Sequence, residues 1–143
     1  MNKKQLTVVW VISLFLITVP LFAKDKHPID KLLDECIDKN TSTQGMRECG
    51  EEALKRWDVE LNKYYKLLMG ILDKDAKKRL KESQLAWLKF RDLEFKFIEE
   101  GYFLDIGSYI GPTKVSNKLD IIKARVLELE IYYETVKDGR TNE

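Results

Sequence analysis

Gln84, Trp87, Leu88 and Arg91 sit within the stretch SQLAWLKFRD, residues 83–92. At spacings of i, i+3, i+4 and i+7 they share one helical face, which would be the core-facing one. An amide and a guanidinium on such a stripe suit a catalytic pair, a ligand site or a polar clasp between helices. A buried guanidinium must be paired and hydrogen-bonded. Asn62, with a carboxylate such as Asp58 or Glu60, lies one helix earlier and can join Gln84 in satisfying Arg91. Buried polar groups mostly serve as satisfied clasps. The expectation is therefore a structural clasp of Asn62, Gln84 and Arg91. The competing reading makes Arg91 a cation facing a ligand.

The remaining side chains offer little catalysis. The single histidine, His27, lies near the N-terminus in a stretch expected to be mobile, which suits no triad on a rigid scaffold. Glu99-Glu100 and Asp92-Glu94 resemble glycosidase pairs in type, but neighbours at i+1 and i+2 do not face each other on a helix. Among 24 acidic residues, chance pairs are abundant. No glycine-rich phosphate loop and no metal-ligand spacing is present, so neither an enzyme nor a cofactor is expected. The aromatic stripe Trp57, Tyr64, Tyr65, Trp87, Phe90 and Phe95 reads as core.

The two cysteines, Cys36 and Cys49, are expected to form a disulfide if the chain is exported. Export follows from the first 23 residues. Lys3 and Lys4 precede a nearly unbroken apolar run from Leu6 to Phe22, and Ala23 then meets the charged run Lys24-Asp25-Lys26. A basic start, an apolar middle and a small residue at the end describe a secretory signal peptide. The expected organisation is a signal peptide at 1–23 and one domain at 24–143, periplasmic or secreted, with no membrane attachment after cleavage. Loss of Lys3 and Lys4 leaves 23 basic residues against 24 acidic ones. Charges so balanced and interleaved argue against nucleic-acid binding.

The elements that position these residues are helices. Ile29, Leu32, Leu33, Cys36 and Ile37 mark a short one opened by Pro28. Thr41 and Gln44 have capping-box spacing and start a second, which carries Met46, Cys49, Ala53, Trp57, Leu61, Tyr64 and Leu68. Asp73 caps a third, with Leu80, Gln84, Trp87, Leu88, Arg91, Phe95 and Ile98 inward and Phe90, Leu93 and Phe97 widening its apolar sector; Gly101 ends it. GYFLDIGSYIGP, residues 101–112, reads as a loop rich in aromatic residues. Its Tyr102, Phe103, Asp105 and Tyr109, with Lys114 just beyond, are the candidate partner-binding residues, because loops lie on the surface and carry function. The last helix runs from about Thr113 to Gly139 with a heptad-like seam of Val115, Leu119, Ile122, Val126 and Leu129. No segment alternates long enough for a strand. The expected fold is all-α: a small antiparallel bundle of three long helices plus one short N-terminal helix.

Cys36, the run Met46-Arg47-Glu48-Cys49, Glu60-Leu61-Asn62 with Tyr64-Tyr65, the run Gln84 to Asp92 and Arg125 together resemble the lysozyme inhibitor LprI-like N-terminal domain family. The most specific part is Q-x-x-W-x-x-F-R-D placed some twenty residues after L-N-x-x-Y. The resemblance implies an exported, helical, disulfide-bonded protein, and the family name comes from a member that inhibits lysozyme. Many members carry a cysteine shortly after the Arg-Asp pair, bonded to one before the last helix. Phe95 stands there in this chain, so the resemblance implies that loop 101–112 is unstapled. The expected function is non-enzymatic binding of a protein partner, with lysozyme the partner the family implies. The alternative is a structural or assembly role in the envelope, in which the seam of the last helix engages a partner helix and is partly exposed in the monomer.

Overall fold

The structure is a computed structural model and describes residues 25–101 and 107–141, with no side-chain description for Ser108 and Thr141. Residues 1–23, the stretch expected to be a signal peptide, lie outside the described residues. Four helices follow in order: α1 Pro28–Lys39, α2 Thr43–Ile71, α3 Lys74–Glu100 and α4 Ile110–Thr141, the last entered through a 3-10 turn at Gly107–Tyr109. Among the described residues there is no strand, and no helix is long and apolar enough to cross a membrane.

The first three helices begin where a side chain satisfies an orphan N–H group. Asp73 caps α3 as expected, its Oδ1 accepting from Ala76 N at 2.8 Å. The cap of α2 is Ser42 rather than Thr41. Ser42 has the extended backbone a cap requires (φ −71, ψ 151) and its Oγ accepts from Gly45 N at 3.0 Å. His27 corrects the expectation of a mobile N-terminus. Its Nδ1 accepts from Ile29 N at 3.2 Å as the cap of α1, and its ring lies 4.3 Å from that of Trp57.

Two boundaries of α4 also differ from expectation. It starts at Ile110, ahead of Pro112, because a proline within the first turn removes only an N–H that lacks a helical acceptor anyway. It continues through Gly139, since one helical glycine costs only about 1 kcal/mol relative to alanine.

The core lies between α2 and α4. Trp57, Leu68, Ile122, Val126 and Leu129 are the largest fully buried side chains. Pairings of Gly50 with Val115 and Tyr64 with Glu130 show that these two helices run parallel. A Cβ on Gly50 would lie 2.7 Å from Val115 Cγ1, so the missing side chain permits the close approach. α3 runs back antiparallel to α4, pairing Glu99 with Lys114 and Gln84 with Arg125. The α4 seam is buried throughout, from Val115 to Leu129. The seam is covered by α2, as a bundle that buries its stripes requires, and so lacks the partial exposure that the alternative assembly role needs.

α1 is fixed at both ends. Cys36 and Cys49 are disulfide-bonded with Cα atoms 5.7 Å apart. At the other end buried Asp30 accepts from Trp57 Nε1 at 3.3 Å and pairs with Lys123 of α4. One carboxylate thereby joins three helices.

Candidate functional site

Asp58, Leu61, Asn62 and Tyr65 recur at three- and four-residue spacing on one face of α2. Lys81, Gln84, Leu88 and Arg91 do so on α3. These residues, with Leu85, line a groove of about 270 Å³ between the two helices. The three residues expected to form a clasp are thus brought to one place, but they do not bond to one another. Arg91 is 22% exposed, and its Nε and Nη2 donate to the neighbouring Asp92 at 2.9 and 2.7 Å. Its Nη1 lies 3.9 Å from Asp58. Asn62 is exposed and donates to Asp58 O, one turn back, at 2.8 Å.

The clasp exists one helix further on, and Arg125 makes it. This residue is 6% exposed. Its Nε donates to Gln84 Oε1 at 3.1 Å, Nη2 to Ser83 Oγ at 3.2 Å and Nη1 to Glu128 Oε2 at 2.6 Å. The expectation failed because Arg91, although it shares Gln84's stripe, emerges at the groove rim where Asp92 reaches it in solvent. The signal that finds Arg125 is its place three residues after Ile122 and four before Leu129, a buried register occupied by a charge. Both guanidinium groups approach Trp87, with Arg91 Cζ 5.7 Å and Arg125 Cζ 6.0 Å from its ring centroid. The Glu128 carboxylate is held below its usual range, because the Tyr132 hydroxyl and then Arg125 donate to it.

The amide of Gln84 is oriented by that clasp. Arginine has donors only, so Oε1 must face Arg125. The Nε2 donors then have no protein partner among the described residues, on a side chain that is 8% exposed and lines the groove. Lys81, on the same rim, makes no ion pair among the described residues.

The candidate partner-binding end of the molecule is different in character. Tyr102, Phe103 and Asp105 lie outside the described residues. Tyr109 is 62% exposed on the 3-10 turn. Lys114 is not the free cation expected. Its Nζ donates to the Glu99 carbonyl at 2.6 Å and to Glu99 Oε2 at 3.3 Å, closing the C-terminus of α3. Lys118 pairs with the same carboxylate and, with Lys114, holds the Glu99 carboxyl below its usual range. Deeper in the bundle, burial and the accepting Glu130 carboxylate push the Tyr64 phenol up to about 12.

Among the described residues no three His, Cys, Asp or Glu side chains cluster to hold a metal ion. The profile of the family described as Lysozyme inhibitor LprI matches residues 36–129. The chain belongs to the LprI family. That match spans α2, α3 and the body of α4, and so contains the disulfide, the groove and the Arg125 clasp. The chain is also similar to a crystal structure titled as a putative uncharacterized protein from Burkholderia thailandensis, at 25% identity and a TM-score of 0.72. The similarity covers 78% of this chain and 56% of that one, so this chain spans little more than half its length. No curated protein matches the chain.

Proposed function

We propose that this protein is an exported, non-enzymatic binding protein that inhibits a lysozyme. The observation that carries the reading is the family match over residues 36–129. The disulfide supports export, since such bonds persist in oxidising compartments. The contact surface is the end of the bundle where α3 gives way to α4. Tyr109 is exposed there, and tyrosines are enriched at the centres of interfaces. Lys114 and Lys118 are occupied by Glu99, so the cations of this end brace it rather than reach a partner.

Titration of the purified protein into a cell-wall lysis assay with C-, G- and I-type lysozymes tests the proposal. Inhibition of at least one type is expected, weakened about tenfold or more by Tyr109→Ala, as for an interface hot spot. Unchanged lysis by all three at large molar excess would sink it. The assembly role rested on an exposed α4 seam, and with that seam buried no observation favours it.

A further inference from the structure

The groove between α2 and α3 is lined by donors of α3, of which Lys81 Nζ and Gln84 Nε2 have no partner among the described residues, while Arg91 is shared with Asp92 and Asp58. Gln84 is more than nine-tenths buried, its carbonyl is committed to Arg125, and its Nε2 donors have no partner among the described residues. Since no buried side-chain nitrogen or oxygen lacks a partner among the described residues, Nε2 is the part of this side chain that opens to the groove, where a ligand acceptor can reach it. Lys81 adds an exposed ammonium on the same face, with no ion pair among the described residues. Arg91 adds a guanidinium steadied by the rings of Trp87 and Phe95, at 5.7 and 5.9 Å, and Tyr65 adds a hydroxyl.

Set against these are the Asp58 carboxylate and the Oδ1 of Asn62, both on the α2 wall. Leu61, Leu85 and Leu88 supply apolar lining. The polarity is divided: cations and amide donors on α3, acceptors on α2, and leucines from both helices. A group that fits must offer an anionic acceptor to α3, an N–H donor to α2 and an apolar body between them.

We propose that this groove binds the C-terminal carboxylate of a peptide ending in an apolar residue. The carboxylate would meet Lys81, Gln84 Nε2 and Arg91, since charge-assisted hydrogen bonds are the strong ones. The amide N–H of the last residue would donate to Asn62 Oδ1 or Asp58, and its side chain would lie on the leucines. A volume of about 270 Å³ admits a chain terminus rather than a folded surface. This site lies on a different part of the molecule from the proposed lysozyme contact, so the two proposals stand or fall separately.

The test is a nuclear magnetic resonance titration of 15N-labelled protein, expressed from the full chain, with acetyl-Ala-Leu as free acid and as C-terminal amide. The free acid should shift the Gln84 side-chain NH₂ resonances saturably, with the amide form weaker by about tenfold or more. Lys81→Gln, at an exposed position without a structural partner, should weaken the acid several-fold and leave the spectrum of the free protein otherwise unchanged. Arg91→Lys should weaken it also, since an ammonium lacks the planar fork. No saturable shift at Gln84, equal binding of acid and amide, or undiminished binding by Lys81→Gln would each overturn the assignment.

Discussion

Arg125 and Arg91 carry the same group and both approach the Trp87 ring, yet their burial assigns them different work. Arg125 donates to three side chains from a site 6% exposed, whereas Arg91 bonds mainly to the next residue in the chain from a site 22% exposed. Removing Arg125 leaves the buried Gln84 carbonyl unsatisfied, at about 1–3 kcal/mol, and loses the packing of its stem, while Ser83 and Glu128 can turn to solvent. Pairs near the surface contribute about 0–1 kcal/mol. Arg125→Ala should therefore destabilise the domain by about 3 kcal/mol, and Arg91→Ala by about 1 kcal/mol, in chemical denaturation. The reverse order would show that the clasp is centred on Arg91 after all. The sequence made the stripe of Gln84, Trp87 and Leu88 legible, and with it the need for a buried cation partner. It did not reveal which arginine, because periodicity places a residue on a face without saying which neighbouring helix that face meets.

At the scale of elements, α1 contributes only Ile29 and Asp30 to the buried set, and twelve residues with so little burial do not hold a helix by themselves. Two attachments do so: the Cys36–Cys49 bond at its C-terminal end and the Asp30 bonds to Trp57 and Lys123 at its start. Closing a loop of this length is worth about 3 kcal/mol in the chain-entropy model. The double variant Cys36→Ser, Cys49→Ser should unfold at clearly lower denaturant, by about 3 kcal/mol, while circular dichroism still reports a helical α2–α4 body. An unchanged midpoint would mean that Asp30 alone suffices. The four helices and the disulfide were readable from spacing, caps and the expected compartment. The ends of α4 were not, since Pro112 and Gly139 look like helix breakers but lie where breaking costs least. The expected antiparallel bundle holds: α3 runs against α4, and α2 and α4 are parallel because one helix turns back between them. That the core forms chiefly between α2 and α4, with Gly50 meeting Val115, has no local signature.

For the whole molecule, the distribution of buried residues sets an order of rigidity. Seven residues of α2 are buried, and α4 buries its seam from Val115 to Leu129. α3, although 27 residues long, buries only Gln84 and Ile98, one of them polar, and presents Leu85, Phe90 and Leu93 at 50–60% exposure. The expected widening of its apolar sector by Phe90 and Leu93 thus faces outward, away from the α2–α4 core. Local opening follows the least buried element, because few apolar contacts oppose it. Native-state hydrogen exchange should show α2 and α4 amides exchanging only through global unfolding, with the middle of α3 opening at a lower free energy. That gap should narrow when a carboxylate-terminated peptide occupies the groove, since a ligand joining α2 to α3 must be released before α3 can part from α2. Equal protection of all three long helices in the free protein would contradict this hierarchy. It would also mean that the α2–α3 groove is rigid before any ligand arrives.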